Sequence, residues 1–144
     1  MSKKARKKGS RRLFIDCGTN LGQGYNYFKN YFPLKQFDLV MIEPNERCLS
    51  QVRKKYEQYP NVEFIQAAAW TEEGSLKLFG LVEDERGDTS QGASVVAEHN
   101  GNMYEVNQEQ AVEVPAISLN DLIVNKAKNY DSIILKMDIE SAEY

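Results

Sequence analysis

Leu13-Phe14-Ile15-Asp16-Cys17-Gly18-Thr19-Asn20-Leu21-Gly22-Gln23-Gly24 is the stretch whose reading decides the fold. Three apolar residues ending at an acid, followed by a loop with three glycines, have the form of a buried strand that delivers its carboxyl end to a tight turn. The residues that follow, with Tyr25, Phe28 and Phe32, read as a helix stopped near Pro33. Leu39-Val40-Met41-Ile42 repeats the pattern as a second strand closed by Glu43-Pro44-Asn45. Asn45 is placed to cap a helix carrying Leu49, Val52, Tyr56 and Tyr59, and Val62 to Ala67 reads as a third strand. Strand, helix, strand, helix, strand is the sequence form of an α/β fold with a parallel sheet and crossover helices.

Beyond Trp70 the pattern changes. Gly74 to Val82 alternates in part and reads as an antiparallel strand, with further strands expected at Ser94 to Ala97 and Ala111 to Pro115. Ser118, three residues before Asp121, resembles a capping box ahead of a helix from Asn120 to about Lys128, and Ser132 to Met137 reads as a strand ending at Asp138. The run Ile133-Ile134-Leu135 is typical of a parallel strand covered on both faces, while Glu140-Ser141-Ala142-Glu143-Tyr144 looks like the first turn of an unfinished helix. The expectation is an incomplete domain over 13–144, an antiparallel insert within it, and C-terminal strands missing.

The 144 residues carry 18 Lys/Arg against 21 Asp/Glu, but unevenly. Lys3, Lys4, Arg6, Lys7, Lys8, Arg11 and Arg12 place seven positive charges in the first twelve residues, leaving a net charge of −10 for the remainder. Such a block reads as a disordered arm over 1–12, through which alone nucleic acid would be contacted; an acidic body argues against nucleic acid as the main substrate. No apolar run approaches the ~18–20 residues that span a bilayer, so no membrane association is expected. Cys17 and Cys48 are too few for a disulfide scaffold and read as reduced thiols, which with the lack of a secretory signal predicts a cytoplasmic protein.

In open α/β sheets, ligands bind beyond the carboxyl ends of the strands, and three such ends carry an acid here: Asp16, Glu43 and Asp138. The first loop is not the dinucleotide fingerprint, because its glycines fall at Gly18, Gly22 and Gly24, and Asp16 would repel a pyrophosphate there. The same carboxylate suits a cation. S-adenosylmethionine carries an ammonium and a sulfonium and no phosphate, so Asp16 can face its methionine end while Gly18 admits a close backbone approach. Glu43 then stands where an acid accepts hydrogen bonds from ribose hydroxyls. Cys17 reads as a small buried neighbour of the cofactor, and Ala68, within Ala67-Ala68-Ala69, as strand core or a floor for adenine. Trp70 reads as core.

Phe14-Ile15-Asp16-Cys17-Gly18-Thr19-Asn20-Leu21-Gly22, Ile42-Glu43-Pro44-Asn45, the stretch from Val114 to Ile123, and Leu135-Lys136-Met137-Asp138-Ile139-Glu140-Ser141-Ala142-Glu143 resemble, in order, the motifs of FkbM-type methyltransferases. The resemblance runs from about Leu13 to Tyr144 and departs from the family pattern at Ser141, where glycine is usual. It implies a Rossmann-like class I fold, S-adenosylmethionine as cofactor, and O-methylation of a sugar or other small-molecule acceptor. It further implies cofactor binding by Asp16, Gly18, Asn20 and Glu43, joined by Gly22 of the same loop, and places Asp138 at the reaction end.

Asp138 and Glu140 are the candidate catalytic pair. Methyl transfer from a sulfonium mainly needs alignment, with a base only where the acceptor is a weakly acidic hydroxyl. Asp138 reads as that base, as a metal ligand, or as a hydrogen-bond acceptor; Glu140 reads equally as a helix-capping charge. Acids alone specify no metal. His99 sits in the insert and is not the favoured catalytic group. The alternatives are an inactive Rossmann-like module binding nucleic acid or protein through its basic arm, and, less favoured, a nicotinamide-dependent oxidoreductase.

Overall fold

The computed structural model describes residues 11–79 and 111–139. In chain order they form β1 (Arg12–Cys17), α1 (Gln23–Phe28), β2 (Phe37–Ile42), α2 (Glu46–Tyr56), β3 (Val62–Ile65), β4 (Ala68–Trp70), β5 (Gly74–Leu78), β6 (Val112–Ser118), α3 (Leu119–Ala127) and β7 (Ser132–Met137). The main sheet has the order β3-β2-β1-β7 and is parallel throughout. The chain leaves β1 toward β2 and β3 on one side and returns to β7 on the other, so a topological switch point lies beside β1.

The alternation of β1 splits its side chains between two cores. Phe14 packs with Tyr25, Leu39, Met41 and Val52 under α1 and α2, and Leu13, Ile15 and Cys17 pack with Val40, Ile42, Ala69 and residues of α3 on the opposite face. Such two-sided cover is what a continuous apolar strand requires. On the α1 side Phe14 lies 5.5 Å from the Tyr25 ring and 5.2 Å from Phe32, and the Tyr25 hydroxyl donates to the Phe32 carbonyl at 3.0 Å. This capture turns the chain early. α1 ends at Phe28, so Phe32 belongs to the turn that follows and not to the helix read from the sequence.

The third strand also differs from its reading. β3 ends at Ile65, and Ala68–Trp70 leaves the main sheet to pair parallel with β6. β5 pairs antiparallel with β6, giving a mixed small sheet of order β4-β6-β5 where the sequence suggested an antiparallel insert. Trp70 is half-buried in β4. Asn45 caps α2 by accepting from the Arg47 N–H, and Ser118 caps α3 by accepting from the Asp121 N–H, as their spacing predicts. α2 stops at Tyr56 and leaves Tyr59 in the next turn.

Arg11 and Arg12 are not part of a free arm. Arg12 opens β1; the Arg11 carbonyl accepts from the Asp131 N–H, its own N–H donates to the Asp131 carboxylate, and its guanidinium lies 4.7 Å from the Tyr130 ring and reaches Asp38. β7, read as covered on both faces, is half-buried, with Leu135 38% exposed, and among the described residues only β1 pairs with it. Residues 1–10, the strand expected at 94–97, His99 and the segment 140–144 lie outside the described residues. Among the described residues no helix is long and apolar enough to cross a membrane.

Candidate active site

The three acids found at strand ends meet at one rim. Parallel register sets Asp16 opposite Met41 on β2 and Lys136 on β7, so these side chains share the α1 face of the sheet. Asp16 is fully buried, its Oδ1 accepting from Lys136 Nζ at 3.0 Å, while its Oδ2 has no hydrogen-bond partner among the described residues. Lys136 Nζ also lies 4.0 Å from Asp138 Oδ2, so one ammonium links the acids that end β1 and β7.

Gly18 explains how closely these ends approach. Its φ is +74°, and a Cβ there would sit 1.9 Å from the Asp138 carbonyl oxygen; the Asp138 N–H in turn donates to the Cys17 carbonyl at 3.1 Å. Only glycine permits both the left-handed backbone and the contact. The N–H groups of Gly18 and Thr19 both donate to the Ile42 carbonyl at 3.0 Å, tying the loop to the end of β2. The Thr19 hydroxyl donates to the Asp16 carbonyl at 3.1 Å.

Glu43 completes the rim. Its Oε2 accepts from the Asn20 N–H at 2.8 Å and its Oε1 from the Asn45 N–H at 2.9 Å, so both oxygens are held by backbone and each keeps lone-pair capacity for a further donor. Burial pushes the Glu43 carboxyl up from its ordinary value, and the two N–H bonds act against that rise. Asn20, itself left-handed at φ 49°, accepts from the Leu21 N–H and from Gln23 Nε2, closing the loop over the start of α1.

Asp16, Gly18, Asn20, Glu43 and Asp138 are thus brought together. Gly22, with φ +80°, supports them as the N-cap of α1. Cys17 and Ala68 stand apart from this group. Cys17 faces the core with Ile15, Val40 and Ala69, where burial, and then the Asp16 charge, push its thiol up to about 12, so it is no nucleophile. Ala68 packs on Leu78 and Val114 in the small sheet. Glu140 lies outside the described residues. Lys136 went unread in the sequence, although a lysine directly after Ile133-Ile134-Leu135 and two residues before an acid was a signal of something other than core. An open cleft of about 670 Å³, lined by Arg11, Lys35 and Asp38 among others, lies at the amino ends of β1 and β2, away from this rim.

Residues 16–144 match the family described as Methyltransferase FkbM domain. The chain belongs to this family. No curated protein and no solved structure matches it. FkbM methyltransferases use S-adenosylmethionine, so the chain is an S-adenosylmethionine-dependent methyltransferase that requires a methyl acceptor, and its parallel sheet with a mixed small sheet agrees with the Rossmann-like fold of such enzymes. The chemistry of one rim atom bears on this cofactor. Asp16 Oδ2, buried and without a donor among the described residues, has the charge for an ammonium and the wrong charge for a pyrophosphate.

Proposed function

We propose that this FkbM methyltransferase methylates a hydroxyl oxygen of a sugar or other small molecule, with S-adenosylmethionine held along the rim formed by Asp16, Gly18, Asn20, Gly22 and Glu43. The ammonium of the methionine end faces Asp16, and the ribose hydroxyls donate to the lone pairs that Glu43 retains. When bound, the cofactor supplies an electrophilic methyl carbon on a sulfonium, whose carbon–sulfur bond breaks as the acceptor oxygen attacks. The chain's own part is mainly alignment. Gly18 brings the ends of β1 and β7 into contact, and the Asp138 N–H to Cys17 bond fixes the backbone from which the Asp138 carboxylate projects.

The observation that carries the hydroxyl acceptor is the state of Asp138. Its side chain is 67% exposed, in contrast with the buried Asp16 and Glu43, and its one described ion-pair contact is the 4.0 Å approach of Lys136. An exposed carboxylate at the switch point is suited to take the proton that an acceptor hydroxyl gives up as its oxygen is methylated. Glu43→Ala, tested by calorimetry with S-adenosylmethionine, is expected to weaken binding by about 10- to 100-fold, the range for lost hydrogen bonds to a charged group. Unchanged affinity removes the ribose role. For the acceptor, Asp138→Asn should lower turnover with sugar hydroxyl acceptors while cofactor affinity stays within a few-fold; full turnover would exclude Asp138 as the base.

A further inference from the structure

The proposed site leaves Lys136 without a task. Its register opposite Asp16 brings an ammonium to 3.0 Å from one oxygen of that carboxylate, while the other oxygen has no donor among the described residues. The lysine side chain is 19% exposed, and its ammonium has more donors than Asp16 Oδ1 consumes. Gly24, in the first turn of α1, provides its space. A Cβ at Gly24 would stand 2.5 Å from Lys136 Cε and 2.8 Å from Nζ, so any other residue there would displace the ammonium. A buried carboxylate with one oxygen lacking a donor, beside an ammonium with spare donors, matches, with signs reversed, an amino acid whose ammonium and carboxylate share one carbon.

We propose that Lys136 binds the α-carboxylate at the methionine end of the cofactor, forming with Asp16 a two-point clamp for that zwitterion; this rests on the cofactor site proposed above. Charge-assisted bonds to both ends of an amino acid fix its direction as well as its place. Asp16 and Asp138 with Lys136 carry a net charge of −1, complementary to a ligand with an ammonium, a sulfonium and a carboxylate. A lysine that served only to neutralise Asp16 would be indifferent to whether the ligand has a carboxylate.

The test is calorimetry with S-adenosylhomocysteine and with its decarboxylated analogue, S-adenosyl-3-thiopropylamine, which keeps the amine. The wild-type protein is expected to prefer S-adenosylhomocysteine by about tenfold or more. Lys136→Met should bring the two affinities to within about threefold of each other, on top of any shift common to both ligands from leaving Asp16 without its ammonium. Gly24→Ala, which leaves the lysine in the chain and meets only its flexible end, should do the same, and carries the test if Lys136→Met fails to fold. Equal affinities in the wild type, or a preference that survives in these variants, overturns the clamp. Wild-type binding of neither ligand is a different result, contradicting the proposed cofactor site itself and the clamp with it.

Discussion

Gly18→Ala concentrates the structural argument in one methyl group. The substitution puts a Cβ 1.9 Å from the Asp138 carbonyl oxygen and 2.8 Å from its carbon, on a backbone with φ +74°. Holding alanine in the left-handed region costs about 1–2 kcal/mol. The obstacle is backbone, so relief requires the end of β7 to withdraw from β1, losing the 3.1 Å bond from the Asp138 N–H to the Cys17 carbonyl, worth about 1 kcal/mol, and loosening the Gly18 and Thr19 bonds to Ile42. The total is about 3 kcal/mol or more, which at roughly 3 °C per kcal/mol lowers Tm by about 10 °C. Urea unfolding followed by circular dichroism, together with thermal scans, measures it. Gly24→Ala is the control: its clash is with a flexible lysine end and alanine favours the helix, so its loss should be clearly smaller. A loss below about 1 kcal/mol for Gly18→Ala, or one no larger than for Gly24→Ala, would refute the reasoning.

Three further outcomes follow from buried groups. Because burial raises the Glu43 carboxyl above its ordinary 4.5, its contribution to stability is complete below that pH and is lost as pH rises toward the folded-state value; the stability of wild type relative to Glu43→Gln should therefore fall from pH 4.5 upward in urea titrations. A constant difference would count against the burial of Glu43. Tyr25 and Tyr130, each pushed from 10.0 to about 12, the first chiefly by burial and the second by burial and its bond to Asp38, should lower stability as pH rises from 10 to 12, and Tyr25→Phe or Tyr130→Phe should flatten that slope. Ultraviolet titration showing every tyrosine ionising near 10 in the native protein would disprove both assignments. Cys17 and Cys48, both buried, should resist a thiol reagent at pH 8 and react on unfolding; native labelling of Cys17 would contradict its place in the core.

What was legible in the sequence was local. β1, β2 and β7 announce themselves as apolar runs ending at an acid, and Asn45 and Ser118 cap their helices through bonds spanning two or three residues. The rim acids followed from those strand ends. What was not legible depends on distant partners. α1 ends where Tyr25 captures the Phe32 carbonyl and Phe32 reaches Phe14, and the third strand breaks because Ala68–Trp70 finds β6, more than forty residues on. Lys136 meets Asp16 across 120 positions, a pairing set by the register of β7 on β1 that no window of sequence contains. Cys17, adjacent to Asp16, faces away from the rim because successive strand residues point to opposite faces.

The central claim is that the cofactor lies along the carboxyl ends of β1 and β2, and a crystal structure with S-adenosylhomocysteine tests it most directly. The account predicts the ribose hydroxyls within hydrogen-bond distance of Glu43 and the amine directed at Asp16 Oδ2, directly or through one water. A ligand seated elsewhere, such as in the cleft beside Arg11 and Lys35, or oriented with its adenine at Asp16, would contradict it.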